Sequence, residues 1–313
     1  MKRRCHLFII IGLLLVGLVI GSFYDLQIDE ALFHEKNGFG LFMASFGVYP
    51  CHLCLSFIGG GLLCTTIRRK DLTTFMKLCG YGLSAVALIL AVWLCGKEWP
   101  SSNGHNVPQL APLSYAICAI VFGASFCGGY MVCRKGDQRQ LWNICLILGI
   151  AFAVSLFPAG FAIKLFIHRP RYRMAVYYGG ADAFYYNWWE MFPEYKDFIG
   201  KEIAAGITLT KEEFKSFPSG HSGSSIILAA VLPFASKFFP KLKGKEVFLF
   251  YGGAAYGFLM MFSRLLVGAH YLTDTCMGAL IVMVTFYVAN EVAIRKGLLV
   301  DPKKEEPSPA LAQ

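Results

Sequence analysis

Eight apolar stretches, each about long enough to cross a bilayer, occupy most of the chain and leave little room for a water-soluble fold. They run over about 5–24, 41–67, 75–96, 111–133, 141–166, 220–238, 246–265 and 268–290. A spanning helix needs roughly 20 apolar residues, and lipid leaves the backbone no partner but itself. Composition agrees, because 16% of residues are charged where soluble domains carry about a quarter. The expected fold class is an all-α polytopic membrane protein with about eight transmembrane helices. The first stretch follows Met-Lys-Arg-Arg as a signal peptide would. Its apolar run is long and no small-residue cleavage site ends it, so it is read as an uncleaved anchor.

Basic residues set the orientation. With the N-terminus in the cytoplasm and the spans alternating, 18 of the 29 Lys and Arg residues fall on the inner side, against 7 acidic residues. The other face is slightly acidic, which is the segregation expected of a positive-inside protein. The net charge of +9 is thus topological, and nucleic acid is excluded as a partner. Most of the 11 cysteines fall within apolar stretches, where a free thiol behaves as a small hydrophobe. Cys51-His-Leu-Cys54 has the spacing of a redox pair, but no second external pair accompanies it, so packing or a local disulfide is the preferred reading.

Three regions follow. Residues 1–140 carry four spans, 141–290 carry the chemistry, and 291–313 form a polar, proline-bearing cytoplasmic tail expected to be disordered. The segment 168–219 is the longest outside the apolar runs and is rich in aromatics, including Tyr172, Tyr185, Tyr186, Trp188 and Trp189. These suit either anchoring at the headgroup layer or a lid over a site. Within it, 209–216 reads as a short surface helix capped by Thr210, with Glu213 closing a capping box.

Ionisable residues cluster at three span ends on one side, and such residues at membrane depth are functional candidates. Lys164 and Arg171 stand where the fifth span emerges, with Arg169 between them. Pro218-Ser219-Gly220-His221 opens the sixth span, a turn whose first amides would face an anion at the positive helix end. Ser263-Arg264, His270 and Asp274 bracket the turn between the last two spans. His270 and Asp274 are four apart, so an Asp carboxylate can hold one imidazole nitrogen and leave the other as a base or nucleophile. Three cations converging with two histidines suit a phosphoryl group.

In order and spacing these clusters are similar to the motifs of the type 2 phosphatidic acid phosphatase (PAP2) superfamily. The resemblance covers about 141–290 and implies a PAP2-like helical core. One departure stands out: Tyr172 occupies the place of the family's proline after Arg171, whereas Arg169-Pro170 offers a pair at the wrong distance from Lys164. Arg171 is therefore the first candidate and Arg169 the second. The resemblance implies that His270 attacks phosphorus, Asp274 orients it and His221 protonates the leaving group. Lys164, Arg171, Arg264, Ser219 and Gly220 would hold the phosphate oxygens. It also implies no cofactor and no metal, and a cation-lined pocket agrees, although His270 and Asp274 alone have the chemistry of zinc ligands.

The expected substrate is a lipid phosphate such as phosphatidate, met at the outer leaflet of a bacterial inner membrane. Undecaprenyl diphosphate is the alternative, and a non-catalytic lipid transporter or scaffold of the same fold is the reading from another class. The oligomeric state is not legible.

Overall fold

Twelve α-helices carry nearly all the regular structure in the computed structural model, which describes residues 2–101, 108–157, 162–178, 180, 184–202 and 208–299. Among these residues the only β-pairing is an isolated bridge between Glu202 and Thr208. The tail from residue 300 onward lies outside the described residues, so its expected disorder is not addressed.

The N-terminal half comprises α1 (Lys2–Leu32), α2 (Gly38–Phe46), α3 (Tyr49–Arg68), α4 (Thr74–Ser101) and α5 (Ala111–Cys133). Asn37 caps α2 by accepting from the Gly40 amide at 2.9 Å. Pro50 lies in the first turn of α3, where its missing N–H costs nothing. The C-terminal half adds α6 (Gln138–Phe157), α7 (Lys164–Ile167), α8 (Tyr172–Tyr178), α9 (Gly220–Val231), α10 (Ala235–Phe238), α11 (Glu246–Leu266) and α12 (Leu272–Arg295).

Among the described residues, six helical segments are long and apolar enough to cross a membrane: Cys5–Leu32, Gly38–Arg68, Thr74–Pro100, Ala111–Cys133, Glu246–Leu266 and Leu272–Arg295. Of the two others expected, 141–166 falls on α6, which is 20 residues long and is followed by residues outside the described ones, and 220–238 falls on the shorter α9. Pro233 explains the second case. It has no N–H and disfavours helical geometry at Leu232, so α9 gives way to a 3-10 turn over Leu232–Phe234 before α10. The α1 helix also runs eight residues beyond the expected end of the first span, to Leu32, which carries Asp25 and Asp29 inside it.

Helix α9 is almost wholly buried, packed between α11 and α12. Helix α12 also meets α1 and α6, and α3 meets α4, α5 and α6. The shared core includes Ile226, Ile227, Ala254, Ala279, Val282 and Met283. Leu13, Val19, Ile89, Ile120 and Phe248 are exposed on the outside, as a hydrocarbon environment permits.

The closest helix approach joins α3 to α5. A Cβ on Gly60 would lie 1.9 Å from the Phe126 carbonyl oxygen, and one on Gly129 the same distance from that of Phe57. Small residues let two backbones meet this way, and hydroxyls tie them across the seam. Ser56 Oγ donates to the Phe122 carbonyl at 2.6 Å and Ser125 Oγ to that of Leu53 at 2.9 Å. Gly60→Ala is therefore expected to destabilise the protein by about 1–3 kcal/mol through overpacking, seen as a lower unfolding temperature in detergent. Gly82→Ala, where an added Cβ meets nothing within 4 Å, serves as the control; equal behaviour of the two would contradict the seam.

Candidate active site

Pro170 determines how the chain enters the site. It disfavours helix at the preceding residue, so α7 stops at Ile167 and His168 turns into the left-handed region with φ of 51°. The His168 ring stacks on Tyr195 at 3.7 Å between centroids. This reversal sends Arg169 into the protein, where it is fully buried. Its guanidinium donates to the Tyr186 carbonyl at 2.7 Å, Thr273 Oγ1 at 2.8 Å, Asp274 Oδ1 at 2.6 Å and Asp25 Oδ2 at 3.0 Å. The ring of Tyr271 covers it at 4.0 Å. Burial opposes the charge, but Asp274 and Asp25 outweigh it and hold Arg169 more firmly protonated than usual.

Asp274 is the other half of this pair. It accepts from Arg169, from the Tyr271 amide at 2.9 Å and from Ser216 Oγ. Its relation to His270 differs from the direct hydrogen bond expected. Asp274 Oδ2 stands 3.8 Å from His270 Nδ1, whereas the carbonyl of Ser216 lies 2.6 Å from that nitrogen. A carbonyl only accepts, so Nδ1 carries the proton and Nε2 presents its lone pair. Burial pushes the His270 pKa well below the ordinary histidine range, against the pull of Asp274, and Arg171 and Lys164 act in the same direction as burial.

Arg171 is placed quite differently from Arg169. It donates to the carbonyls of Glu212 and Ala269, each at 2.8 Å, which sets it beside His270. Burial and the neighbouring Arg173 lower its pKa. Lys164 donates to the Lys215 carbonyl at 2.9 Å. Arg264 is buried in the last turn of α11 and has Arg171, Arg173 and Glu98 as charged neighbours. The 3-10 turn Lys211–Phe214 is capped by Thr210 as expected, through the Glu212 amide at 3.3 Å. Glu213 does not close a capping box; it pairs with Arg173 at 2.8 Å, which holds its carboxyl below the usual range despite burial.

Ser219 caps α9. Its Oγ accepts from the Ser222 amide at 3.3 Å and the Ser222 hydroxyl at 2.9 Å, and its own amide donates to the Asp274 carbonyl at 2.9 Å. The Ser219 amide and the acceptor side of its Oγ serve the frame, which leaves its hydroxyl hydrogen as a donor, while Gly220 and His221 open the helix, where amides have no intrahelical acceptor. A Cβ on Gly278 would meet the Ser219 carbonyl oxygen at 2.2 Å, so α12 needs a glycine there for the turn to seat. His221 Nε2 lies 3.3 Å from the Ala44 carbonyl and 3.4 Å from Glu98 Oε2.

All the residues read as site members thus gather at one end of the bundle. Reading by motif missed Ser216, two residues before Pro218, and also Asp25 and Glu98, which reach the site from far along the chain. The i,i+4 spacing of Asp25 and Asp29 on α1 was the available signal. Most loop aromatics pack inward around Met174, Phe192, Leu209 and Phe214, and Trp188 Nε1 donates to Ser22 of α1 at 2.9 Å, while Trp189 stays exposed. Cys51 and Cys54 are free thiols within the first turns of α3.

Compared with known proteins, the chain matches the family described as PAP2 superfamily over residues 140–296. No curated protein and no solved structure matches it.

The two arginines are expected to separate by experiment. Arg169→Met strands buried carboxylates and should cost about 3–5 kcal/mol of stability. Arg171→Ala should fold near the wild-type temperature. Matching losses of unfolding temperature would contradict this division.

Proposed function

The chain belongs to the PAP2 superfamily, and from that premise we propose that it is an integral-membrane phosphatase. It hydrolyses a phosphomonoester or diphosphate of a lipid, without a metal, through a phosphohistidine on His270. The observation that carries this reading is the imidazole of His270, whose Nδ1 is spent on the Ser216 carbonyl at 2.6 Å, leaving Nε2 as a neutral nucleophile beside Arg171 and Lys164.

In the first step Nε2 attacks phosphorus and the bond to the leaving oxygen breaks, while protonated His221 gives that oxygen its proton. In the second, His221 takes a proton from water, whose oxygen attacks the phosphohistidine. Phosphate leaves and His270 regains its lone pair. Lys164, Arg171, Arg264, the Ser219 hydroxyl and the Gly220 amide hold the phosphate oxygens, where fixed charge favours the transition state. Asp274 acts by fixing the frame around His270. Its oxygens already accept three hydrogen bonds, which supports a metal-free reaction over zinc ligation.

The lipid substrate and the outer leaflet rest on charge and topology. The site lies at the bundle end whose loops carry the acidic excess, opposite the cytoplasmic basic clusters.

Phosphate release from purified protein should be tested across phosphatidate, phosphatidylglycerophosphate, undecaprenyl diphosphate and glucose 6-phosphate. Activity on none of them would sink the reading. His270→Ala is expected to abolish release and Asp274→Asn to cut it strongly, while exhaustive chelation leaves it unchanged. The depressed pKa of His270 has a further consequence. The imidazole stays neutral below the ordinary value of about 6.5, and protonation at lower pH removes the nucleophile. The acid limb of kcat against pH is therefore expected below 6.5; a limb at 7 or above contradicts the assignment.

A further inference from the structure

The acid side of the site contains a carboxylate that lies outside the family-matched stretch. Glu98, in the last turns of α4, brings Oε2 to 3.4 Å from His221 Nε2. The Ala44 carbonyl at the end of α2 lies 3.3 Å from the same nitrogen. Both groups accept, so Nε2 carries a hydrogen and the only nitrogen left to face a substrate is Nδ1.

That geometry has a chemical consequence. A neutral imidazole protonated on Nε2 has a bare Nδ1, which can accept a proton but cannot give one. His221 serves as a general acid through Nδ1 only as the imidazolium. Burial lowers the His221 pKa, and the charged groups facing it decide how much of that form is recovered. Arg264 from α11 disfavours it, and the buried His52 from α3 also lies near, with its Nε2 unpartnered and its Nδ1 at 2.9 Å from the Val48 carbonyl. Glu98 is the carboxylate that opposes them. The side chains of His221 and Glu98 are 20% and 30% exposed, so the pair sits at the accessible mouth of the site and is not sealed in the core.

We propose that Glu98 is a positioning residue that keeps His221 protonated and aimed through Nδ1 at the leaving oxygen. The first transmembrane half thereby supplies the acid step of the reaction. This rests on the phosphatase reading above. Proton balance follows directly: the Nδ1 proton goes to the leaving alkoxide as the P–O bond breaks, His221 becomes neutral, and the hydrolytic water restores the proton.

The test compares Glu98→Gln with wild type in the full-length protein, using phosphatidate, a poor leaving group, and p-nitrophenyl phosphate, a good one. Glu98→Gln is expected to lower kcat for phosphatidate by about tenfold or more, within the range of general acid catalysis. On p-nitrophenyl phosphate the change should stay within about threefold, because a good leaving group needs little protonation. The alkaline limb of the phosphatidate profile should move toward acid, since the imidazolium is lost earlier. Glu98→Asp, which keeps the charge on a shorter arm, should shift the limb less and in the same direction; it also decides the question should the Gln variant fail to accumulate. Equal slowing of both substrates, or an unmoved limb, would overturn the role of Glu98 with the phosphatase reading intact. Wild-type protein inactive on both would overturn that reading itself, and this role with it.

Discussion

A single buried cation organises this protein. Arg169 is fully enclosed, and removing a guanidinium from water costs several kcal/mol unless geometry returns it. Here the return is complete: Asp274 and Asp25 accept from its two terminal nitrogens, the Tyr186 carbonyl takes the third donor group, and Tyr271 covers its face. These partners belong to the start of α12, to α1 and to the 168–219 segment, so one ion cluster ties together three parts of the chain. Thr273 adds its amide to Asp25 at 3.0 Å, locking the N-terminal helix to the start of α12. Anything that moved α1 would expose this charge.

The same cluster explains why Asp274 stands back from His270. A carboxylate can orient an imidazole only if it is itself held, and Asp274 is held by Arg169, Ser216 and the Tyr271 amide. The direct orienting contact passes to the Ser216 carbonyl, whose position depends on Asp274 through the Ser216 hydroxyl and on Arg169 through the hydrogen bond from the Ser216 amide to the Arg169 carbonyl. His270 is therefore fixed through a backbone acceptor. That arrangement sets its tautomer without adding a second negative charge against the ring.

The parts legible in the sequence were those written locally. The apolar spans as such and the Pro-Ser-Gly-His turn depend on neighbours within a few residues. The choice between Arg169 and Arg171 did not, because spacing gives no account of which side chain turns inward; Pro170 and the left-handed His168 decide that. Glu213 fitted a capping box by spacing, yet the nearer interaction with Arg173 claimed it. The expected span at 220–238 gave a shorter helix because hydropathy averages over Pro233 and does not register where a helix must stop. Glu98 was beyond reach, being an ordinary residue until distant helices pack against it, whereas Asp25 left a trace in its i,i+4 spacing to Asp29.

The cations of the site divide by what they face, and this bears on what the pocket receives. Arg169 spends its charge on carboxylates and contributes little net field outside its cluster. Arg171 and Lys164 instead donate to carbonyls of Glu212, Ala269 and Lys215, neutral acceptors that fix direction without pairing the charge; burial lowers the pKa of both, that of Lys164 to about 7, and the nearby Glu212 favours their charged forms. Among the described residues neither forms an ion pair of its own. Keeping such like charges together beside a neutral histidine is unfavourable in the empty protein, so the arrangement favours whatever brings negative charge to that spot. A phosphoryl group does so, and its charge is spread over several oxygens that two or three fixed donors can share. The glutamate at the other side of the pocket then has a distinct task. It cannot add to phosphate affinity, being an anion itself, and its position against His221 Nε2 gives it influence over the proton alone. On the proposed reading, charge of one sign gathers the substrate and charge of the other keeps the acid loaded, and the two are contributed by opposite halves of the chain.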